Sequence, residues 1–139
     1  MTTDSMVFSD RAPRPVGAYP HARRVGNMLY LSGIGPRQPA TNEIPGVKWN
    51  DQGEITEHDI EVQTRAVIEN VKTILSDAGS SLEKVIDVTV FLTDMKRDFE
   101  RFNKVYAEYF GTIQPTRTTV GVDSLPTPIA VELKVIAAG

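Results

Sequence analysis

The chain has 139 residues, of which 40% are hydrophobic and 24% are charged, and it contains no cysteine. This length suits one domain, so we predict a single domain over residues 1–139. The lack of cysteine excludes a disulfide framework, a thiolate metal site and a cysteine nucleophile. The formal net charge of −3 provides no overall basic field of the kind that drives binding to the phosphate backbone of nucleic acids.

The N-terminal residues show no basic segment followed by an apolar segment, which is the pattern of a signal peptide. No apolar run approaches the roughly 20 residues that a membrane helix needs. We therefore expect a soluble, cytoplasmic protein that binds neither a membrane nor a nucleic acid.

The first predicted elements are two short strands joined by a turn. Residues 25–28 place glycine and asparagine between two apolar segments, which predicts a hairpin. Residues 36–56 contain several proline and glycine pauses without a clear periodicity, so we expect a long loop with at most a small edge strand at 47–49. Long loops in compact domains are often functional, but a tolerated surface insertion explains this composition equally well.

Two amphipathic helices are predicted next. Residues 56–59 resemble a capping box that starts at Thr56, and apolar residues at helical spacing follow them as far as Gly79. A second helix spans roughly residues 98–110, where several aromatic side chains share one face. Such an aromatic stripe is far more often part of a core than of a ligand site.

Three further strands are predicted at residues 85–92, 117–122 and 129–137. The first of them has an apolar face that includes Ile86 and a mixed face that includes Val85. The order of elements predicts an α+β or α/β fold with both helices on one face of the sheet.

The opposite face of the sheet is expected to be half apolar, with charged residues embedded in it. Its predicted members are Val85, Phe91, Arg117, Thr119, Ala130, Glu132, Lys134 and Ile136. A surface of this kind indicates burial against another subunit, so we predict an oligomer.

The strongest local constellation is Arg117 with Glu132. If the last two strands pair in antiparallel fashion, Thr119 lies opposite Glu132, and Arg117 is the diagonal neighbour on the same face. The two residues then form either a cross-strand ion pair, which is the commoner case, or a reactive pair. In a reactive pair, the guanidinium binds a substrate carboxylate and the carboxylate holds a water molecule.

Other candidate residues carry weaker signals. Tyr19 lies in a loop rich in turn residues and either caps a pocket or covers the core. Ser32 precedes Gly33 but lacks the glycine pattern of a serine-hydrolase elbow. His21 and His58 do not have the spacing of metal ligands, and no glycine-rich phosphate loop is present. We therefore expect no metal site.

Six segments occur together in the order that is typical of one family. They lie at residues 17–22, 26–33, 63–71, 88–94, 115–120, and 125–126 with 131–137. Together they resemble the Rid family of enamine/imine deaminases, also called the YjgF/UK114 family, over nearly the whole chain. The resemblance implies a chorismate-mutase-like α+β fold, in which two helices pack on one face of a mixed β-sheet. It also implies a homotrimer with active sites in clefts between subunits.

The resemblance assigns roles to individual residues. By position, Arg117 binds the substrate carboxylate, Glu132 positions or activates water, and Tyr19 closes the pocket. The remaining substrate-binding positions are Ser32, Gly33, Asn103 and Thr119. Thr119 stands where the family usually has a cysteine. No cofactor is implied, because an imine is already activated toward water.

The substrate implied by the resemblance is 2-aminomuconate. Residues 34–36 depart from the usual Gln-Ile-Pro, and the loop at 37–55 is longer than in general imine deaminases. With the segments at 63–70 and 117–120, this loop is similar to that of the 2-aminomuconate deaminases of aromatic-compound breakdown. Those enzymes release ammonia and 4-oxalocrotonate, the keto form of 2-hydroxymuconate.

A linear dicarboxylate needs a second cation for its far end. Arg37 and Lys48 on the long loop are the candidates, and Arg65 is less suited because it falls on a helix. For each of them alone, a solvated surface charge is the commoner case. Two alternatives stay open, namely a general deaminase that clears reactive 2-iminoacids and a trimeric protein that binds small molecules without catalysis. Ribonuclease activity is the weakest alternative because the chain is acidic.

Overall fold

The structure is a computed structural model that describes residues 4–139. Within this part of the chain the strands are β1 (Ser5–Val7), β2 (Ala22–Val25), β3 (Met28–Leu31), β4 (Val47–Trp49), β5 (Ile55–His58), β6 (Val85–Leu92), β7 (Thr116–Gly121) and β8 (Val131–Ala138). The helices are α1 (Ile60–Asp77) and α2 (Met95–Phe110), with a 3-10 turn at Leu82–Lys84.

One mixed sheet organises the molecule, with the strand order β1-β2-β3-β8-β6-β7, and β4 and β5 form a separate hairpin. Neighbours in the sheet run antiparallel except β6 and β7, which are parallel. Both helices contribute buried side chains, such as Val71 and Phe102, to one core that also holds Val88 and Leu133 of the sheet. The prediction of an α+β fold with two helices on one face of a mixed sheet is confirmed.

The two predicted features of the N-terminal half are both present. The hairpin joins β2 to β3, with Val25 opposite Met28 and Gly26 at a positive φ of 60° in the turn. The small strand predicted at residues 47–49 is β4, and its partner is β5. The long loop therefore contains a two-stranded hairpin of its own.

Helix α1 is confirmed, but its predicted start at Thr56 is wrong. Thr56 belongs to β5, and the N-cap is Asp59, whose carboxylate accepts hydrogen bonds from the backbone N–H groups of Glu61 and Val62. Strand β5 extends to His58, so Asp59, the residue that follows it, caps the helix. Gly79, with φ of 80°, follows the last turn as predicted.

Helix α2 begins three residues earlier than predicted. Asp94 is its N-cap and accepts a hydrogen bond of 3.1 Å from the backbone N–H of Arg97. Phe102 and Phe110 of the aromatic stripe are buried in the core, while Phe99 stays 37% exposed.

No helix within residues 4–139 combines the length and the apolar character needed to cross a bilayer.

The predicted faces of β6 are wrong at its first two residues. Val85 is buried in the core, whereas Ile86 is 46% exposed. The register with β8 shifts between Val85 and Asp87, which is the sign of a β-bulge. From Val88 onward the strand alternates as expected, because the irregularity is confined to its beginning.

The predicted pairing of the last two strands is also wrong. β6 lies between β7 and β8, so Thr119 is opposite Val90, while Glu132 is opposite Phe91 on the other side of β6. Arg117 pairs with Val88, a buried core residue, and therefore lies on the helix face of the sheet. Because the side chains of a strand alternate between faces, Glu132 lies on the opposite face with Phe91.

The face of the sheet away from the helices therefore differs from the prediction. Arg117 and Thr119 lie on the helix side, while Val85 and Ala130 are buried in the core. Of the predicted set, Phe91, Glu132, Lys134 and Ile136 remain on the face that neither helix covers. We call this surface the open face of the sheet.

Candidate functional site

The polar residues predicted for the site fall into two groups on opposite faces of the sheet. The first group surrounds a cavity of about 110 Å³, which we call the Glu132 cavity. Its lining residues are Val16, Tyr19, Gly33, Gly35, Arg37, Pro126, Thr127, Ile129 and Glu132. The second group surrounds Arg117, and we call it the Arg117 cluster.

Glu132 is a half-buried carboxylic acid at the base of the first group. Burial raises its pKa above the ordinary value of 4.5, because the charged form loses solvation. A Cβ atom at Gly33 would lie 3.0 Å from the carboxyl carbon of Glu132 and closer still to one of its oxygens. Glycine at position 33 is therefore needed for the carboxyl group to occupy this place.

Tyr19 lines the Glu132 cavity, and Ser32 lines a second cavity that shares Tyr19, Gly33 and Arg37 with it. The Tyr19 hydroxyl accepts a hydrogen bond of 3.2 Å from the backbone N–H of Val16. Ser32 donates from its hydroxyl to the carbonyl oxygen of Pro20 at 2.7 Å. Since its hydroxyl hydrogen is used in this way, Ser32 fixes the loop that carries Tyr19.

Arg37 is the cation that lies nearest to this group. It lines the Glu132 cavity and donates hydrogen bonds to Asn42 Oδ1 at 2.9 Å and to the carbonyl oxygen of Arg14 at 2.6 Å. Lys48 forms an ion pair with Glu57 on the exposed hairpin, and Arg65 forms one with Glu108. Of the three candidates for the far carboxylate, Arg37 lines the cavity that contains Glu132.

The Arg117 cluster places a guanidinium group against aromatic rings of α2. The Arg117 Cζ atom lies 4.8 Å from the ring centre of Tyr106, 5.5 Å from that of Phe102 and 5.9 Å from that of Phe99. Within residues 4–139 no salt bridge joins Arg117 to a carboxylate. Contact with ring faces holds the guanidinium in place while leaving N–H donors for a ligand.

Three polar atoms of the cluster lack a partner. Asn103 Oδ1, the Tyr106 hydroxyl and Thr119 Oγ1 are buried and have no hydrogen-bond partner within residues 4–139. Burial also raises the pKa of Tyr106, which keeps its hydroxyl protonated. Buried polar groups in folded proteins are nearly always satisfied, so this concentration beside a free guanidinium is typical of a binding surface.

The sequence analysis missed Tyr106 as a candidate. It was included in the aromatic stripe of the second helix, and most of that stripe is core, as predicted. Tyr106 has a polar hydroxyl, however, and lies one turn after Asn103 on the same helix. That spacing from a predicted site residue is the signal that could have identified it.

The structure brings the predicted site residues together only in part. Tyr19, Ser32, Gly33 and Arg37 gather around Glu132, whereas Asn103 and Thr119 gather around Arg117. Arg117 and Glu132 lie on opposite faces of the sheet of one chain. The alternative of a cross-strand ion pair between them is therefore wrong.

The two histidines form hydrogen bonds with other residues of the chain. His21 accepts a hydrogen bond at Nδ1 from the backbone N–H of Ser9 and donates from Nε2 to the carbonyl oxygen of Pro13. Gln63 donates to His58 Nδ1 at 2.9 Å. In the described part of the chain, no group of three or more acidic, histidine or cysteine residues is arranged to hold a metal ion.

Comparison with known proteins connects this geometry to a family. The sequence profile described as Endoribonuclease L-PSP matches residues 9–139. A RutC family protein of Pyrococcus horikoshii is 45% identical over 132 residues, which cover 95% of each chain.

Solved structures agree with the sequence comparison. YyfA from Yersinia pestis, described as a protein of unknown function of the conserved Rid family, is 36% identical; the match covers 99% of this chain and 100% of that chain, with a TM-score of 0.81. TdcF of E. coli, solved with bound serine, is 35% identical; the match covers 97% of this chain and 98% of that chain, with a TM-score of 0.83.

The fold and these matches define a small α+β protein of the Rid type. The chain belongs to the Rid family, whose sequence profile carries the description Endoribonuclease L-PSP. The resemblance inferred from the six ordered segments is thereby confirmed. Membership supports enamine/imine deamination as the general activity.

Proposed function

We propose that this protein is a hydrolase that deaminates enamines and imines in an active site assembled between two copies of the chain. The observation that carries the proposal is the division of the polar groups between the two faces of the sheet. A carboxyl group and a guanidinium on opposite faces of one sheet can act on the same substrate only if a second chain contributes one of them.

The size of the Glu132 cavity supports this arrangement. It measures about 110 Å³, whereas sites for small molecules usually measure about 300–1,000 Å³. A six-carbon dicarboxylate therefore needs an additional wall. A neighbouring chain that presents its Arg117 cluster would provide that wall and would also give partners to the buried polar atoms of the cluster.

The open face of the sheet supports assembly as well. Tyr30 and Val120 are 42% and 36% exposed on this face, beside the half-buried Ile136 and Phe91. Adjoining apolar side chains on an uncovered sheet favour contact with another subunit. We propose a homotrimer, because in a closed ring each chain can offer Arg117 to one neighbour and Glu132 to the other.

In the proposed reaction, Arg117 binds the carboxylate next to the reacting carbon as a two-pronged fork. Glu132 holds a water molecule and accepts its proton while the water oxygen bonds to the imine carbon. The proton passes to the nitrogen, which gives a carbinolamine. Glu132 then moves the hydroxyl proton to the same nitrogen, the carbon–nitrogen bond breaks, and a ketone and ammonia remain.

The substrate that we propose is 2-aminomuconate, an enamine whose nitrogen proton moves to C3 to give the imine that enters the reaction above, and 4-oxalocrotonate is its product. Its far carboxylate needs a cation at a distance from Arg117. Arg37 meets this need, since it lines the Glu132 cavity and a guanidinium has five N–H donors, more than its two observed partners use. The serine bound to TdcF is also a carboxylate ligand, which supports this ligand class.

The direct test follows ammonia release and ultraviolet absorbance with freshly generated 2-aminomuconate and with 2-iminobutyrate. We expect turnover of both and a higher kcat/KM for 2-aminomuconate. Glu132→Gln and Arg117→Lys should each lower kcat/KM by at least about 10²-fold. Glu57→Gln is the matched control, because Glu57 lies on the exposed hairpin and pairs with Lys48.

The outcomes separate the alternatives. A preference for 2-iminobutyrate would indicate a general 2-iminoacid deaminase, and binding without ammonia release would indicate a non-catalytic protein. RNA incubated with the protein tests the activity named in the family description. Wild-type turnover by Glu132→Gln would contradict the role of Glu132 in handling water.

Mixed trimers test whether the site is shared between chains. Inactive Arg117→Ala and Glu132→Gln chains are unfolded together, refolded together and assayed. If the two residues of a site come from neighbouring chains, about one quarter of the sites in random trimers carry both native residues. Activity near that fraction supports the shared site, whereas no recovery with trimers present would contradict it.

A further inference from the structure

Helix α1 carries two buried amide side chains that the proposed reaction does not use. Gln63 is fully buried and Asn70 is 5% exposed. They are seven residues apart, which is nearly two helical turns, so both lie on the same face of α1. Both belong to the segment at 63–71 that contributed to the family resemblance.

Asn70 binds the chain segment that ends in Arg37. Its Nδ2 atom donates hydrogen bonds of 2.9 Å to the carbonyl oxygens of both Gly35 and Arg37. One nitrogen that binds two carbonyls, two residues apart, fixes the backbone between them. This backbone forms one wall of the Glu132 cavity and sets the starting point of the Arg37 side chain.

Gln63 binds the segment that leads into β8. Its Oε1 atom accepts a hydrogen bond of 2.8 Å from the backbone N–H of Ala130, two residues before Glu132. Its Nε2 atom donates to the carbonyl oxygen of Pro45 at 3.2 Å and to His58 Nδ1 at 2.9 Å. These partners fix the orientation of the amide. If the amide were flipped, its NH2 group would face the backbone N–H of Ala130, and two donors cannot form a hydrogen bond with each other.

The two segments held by these amides pack directly against each other. A Cβ atom at Gly35 would lie 2.8 Å from Ile129 Cδ1, so the two segments are in close contact at this point. Backbone hydrogen bonds of 2.8 and 2.9 Å also join Ile34 to Leu133. Because these backbone bonds remain in either variant, each amide acts mainly on the stretch beside them: Asn70 on residues 35–37 and Gln63 on residues 129–132.

We propose that Asn70 and Gln63 are positioning residues: Asn70 sets the place of Arg37, and Gln63 sets the place of Glu132. The inference rests on the proposed function, since it assigns each amide to one part of that reaction. Asn70 acts on binding of the far carboxylate, and Gln63 acts on the step that uses water.

The test for Asn70 is the isosteric variant Asn70→Asp. An ionised carboxylate cannot donate to either carbonyl, so the segment loses its support. We expect KM for 2-aminomuconate to rise about tenfold, with kcat and the kinetics of 2-iminobutyrate within about twofold of wild type. The KM defect should shrink at low pH, because the protonated carboxyl regains one donor. Asn70→Ser, which retains one hydroxyl donor, replaces this variant if it does not fold.

A double-mutant cycle tests whether Asn70 acts through Arg37. In the Arg37→Ala background, Asn70→Asp should raise KM no further, because the cation that it positions is already absent. Equal increases in both backgrounds would overturn the proposal. So would an equal rise of KM for both substrates, since a general structural defect affects them alike.

The variant Gln63→Met tests the role of Gln63, because methionine has a similar side-chain volume but cannot form the hydrogen bonds of the amide. We expect kcat to fall about tenfold for both substrates with KM little changed, since Glu132 serves both. Val67→Ala is the control for lost stability, because Val67 is fully buried on α1 and has no polar role. The same kinetic pattern in Val67→Ala would overturn the role of Gln63.

The experiment also distinguishes failure of this inference from failure of the proposed function. If wild-type protein releases no ammonia from either substrate, the proposed function is wrong. Binding of cis,cis-muconate, an unreactive dicarboxylate, then tests Asn70 by calorimetry. A Kd that does not differ between wild type and Asn70→Asp would overturn the positioning role there as well.

Discussion

The contact between Gly33 and Glu132 makes the place of the carboxyl group testable with a single methyl group. A Cβ atom added at position 33 would meet the Glu132 carboxyl carbon at 3.0 Å, with one oxygen closer still, whereas ordinary van der Waals contact begins at 3.4 Å. No other residue's heavy atoms are among the closest neighbours of that Cβ. Gly33→Ala therefore acts first on the Glu132 side chain.

The size of the effect follows from this geometry. The carboxyl carbon has to retreat by about 0.4 Å and the oxygen by on the order of 1 Å to restore ordinary contact. A displacement of about 1 Å in a catalytic group costs about 10²-fold in rate, or about 2.7 kcal/mol of transition-state stabilisation. The free energy of unfolding should fall by less than about 1 kcal/mol, because the end of a flexible side chain can move at small cost.

The assay measures kcat/KM for ammonia release together with urea unfolding of the same preparations. Gly121→Ala is the matched control, since its Cβ would lie no closer than 3.9 Å to any neighbour, and it should stay within about twofold of wild type. In a Glu132→Asp background, which shortens the acid by one methylene, Gly33→Ala should cost much less. Wild-type kcat/KM in Gly33→Ala would contradict the proposed place of the carboxyl group, as would an equal loss in Gly121→Ala.

Three further predictions concern the stability of the fold and are checked by urea unfolding. Burial lowers the pKa of His58 from its ordinary 6.5, with a smaller contribution from Arg97. The unfolded chain therefore binds a proton at His58 more readily than the folded chain does. The free energy of unfolding should fall as the pH drops below about 6.5. His58→Gln should flatten that dependence, and an unchanged slope would contradict it. Asp59→Ala should cost about 1 kcal/mol through loss of the helix cap, while Asp59→Asn, which keeps the acceptor, should cost much less; equal losses would argue for the ion pair with Arg101 instead. The Tyr106 hydroxyl is buried without a partner within one chain, and the neighbouring chain that we propose would give it one, so Tyr106→Phe should lower the stability of the assembled protein by about 1 kcal/mol; unchanged or raised stability would show that the hydroxyl gains no partner on assembly.

Local signals in the sequence predict most of the elements of this fold. The turn at residues 25–28 and the glycine after α1 depend on backbone conformations that few residues adopt, so both could be located from sequence. The helix starts were less certain, since several acidic and hydroxyl residues precede each helix. Asp59 rather than Thr56 caps α1 because β5 pairs with β4 as far as His58.

The sequence analysis failed where the outcome depended on which strands become neighbours. The six-residue connection at 123–128 between the last two predicted strands suggested an antiparallel pair. The order β6–α2–β7 carried the opposite signal, because a strand, helix and strand in succession normally form a parallel pair. β7 follows that rule, and β8 fills the place between β3 and β6.

That choice of neighbours decides on which face each functional side chain lies. Because strand side chains alternate between faces, the pairing of β7 beside β6 turns Arg117 toward α2, while β8 presents Glu132 on the other face. On either face, a single chain therefore brings together only part of the residues that the family resemblance assigns to one site. The contact between copies that we propose would reconcile the two groups, so deaminase activity should disappear whenever the assembly is dissociated. Full activity from a species that sediments as a monomer would contradict the shared site, whichever substrate is used.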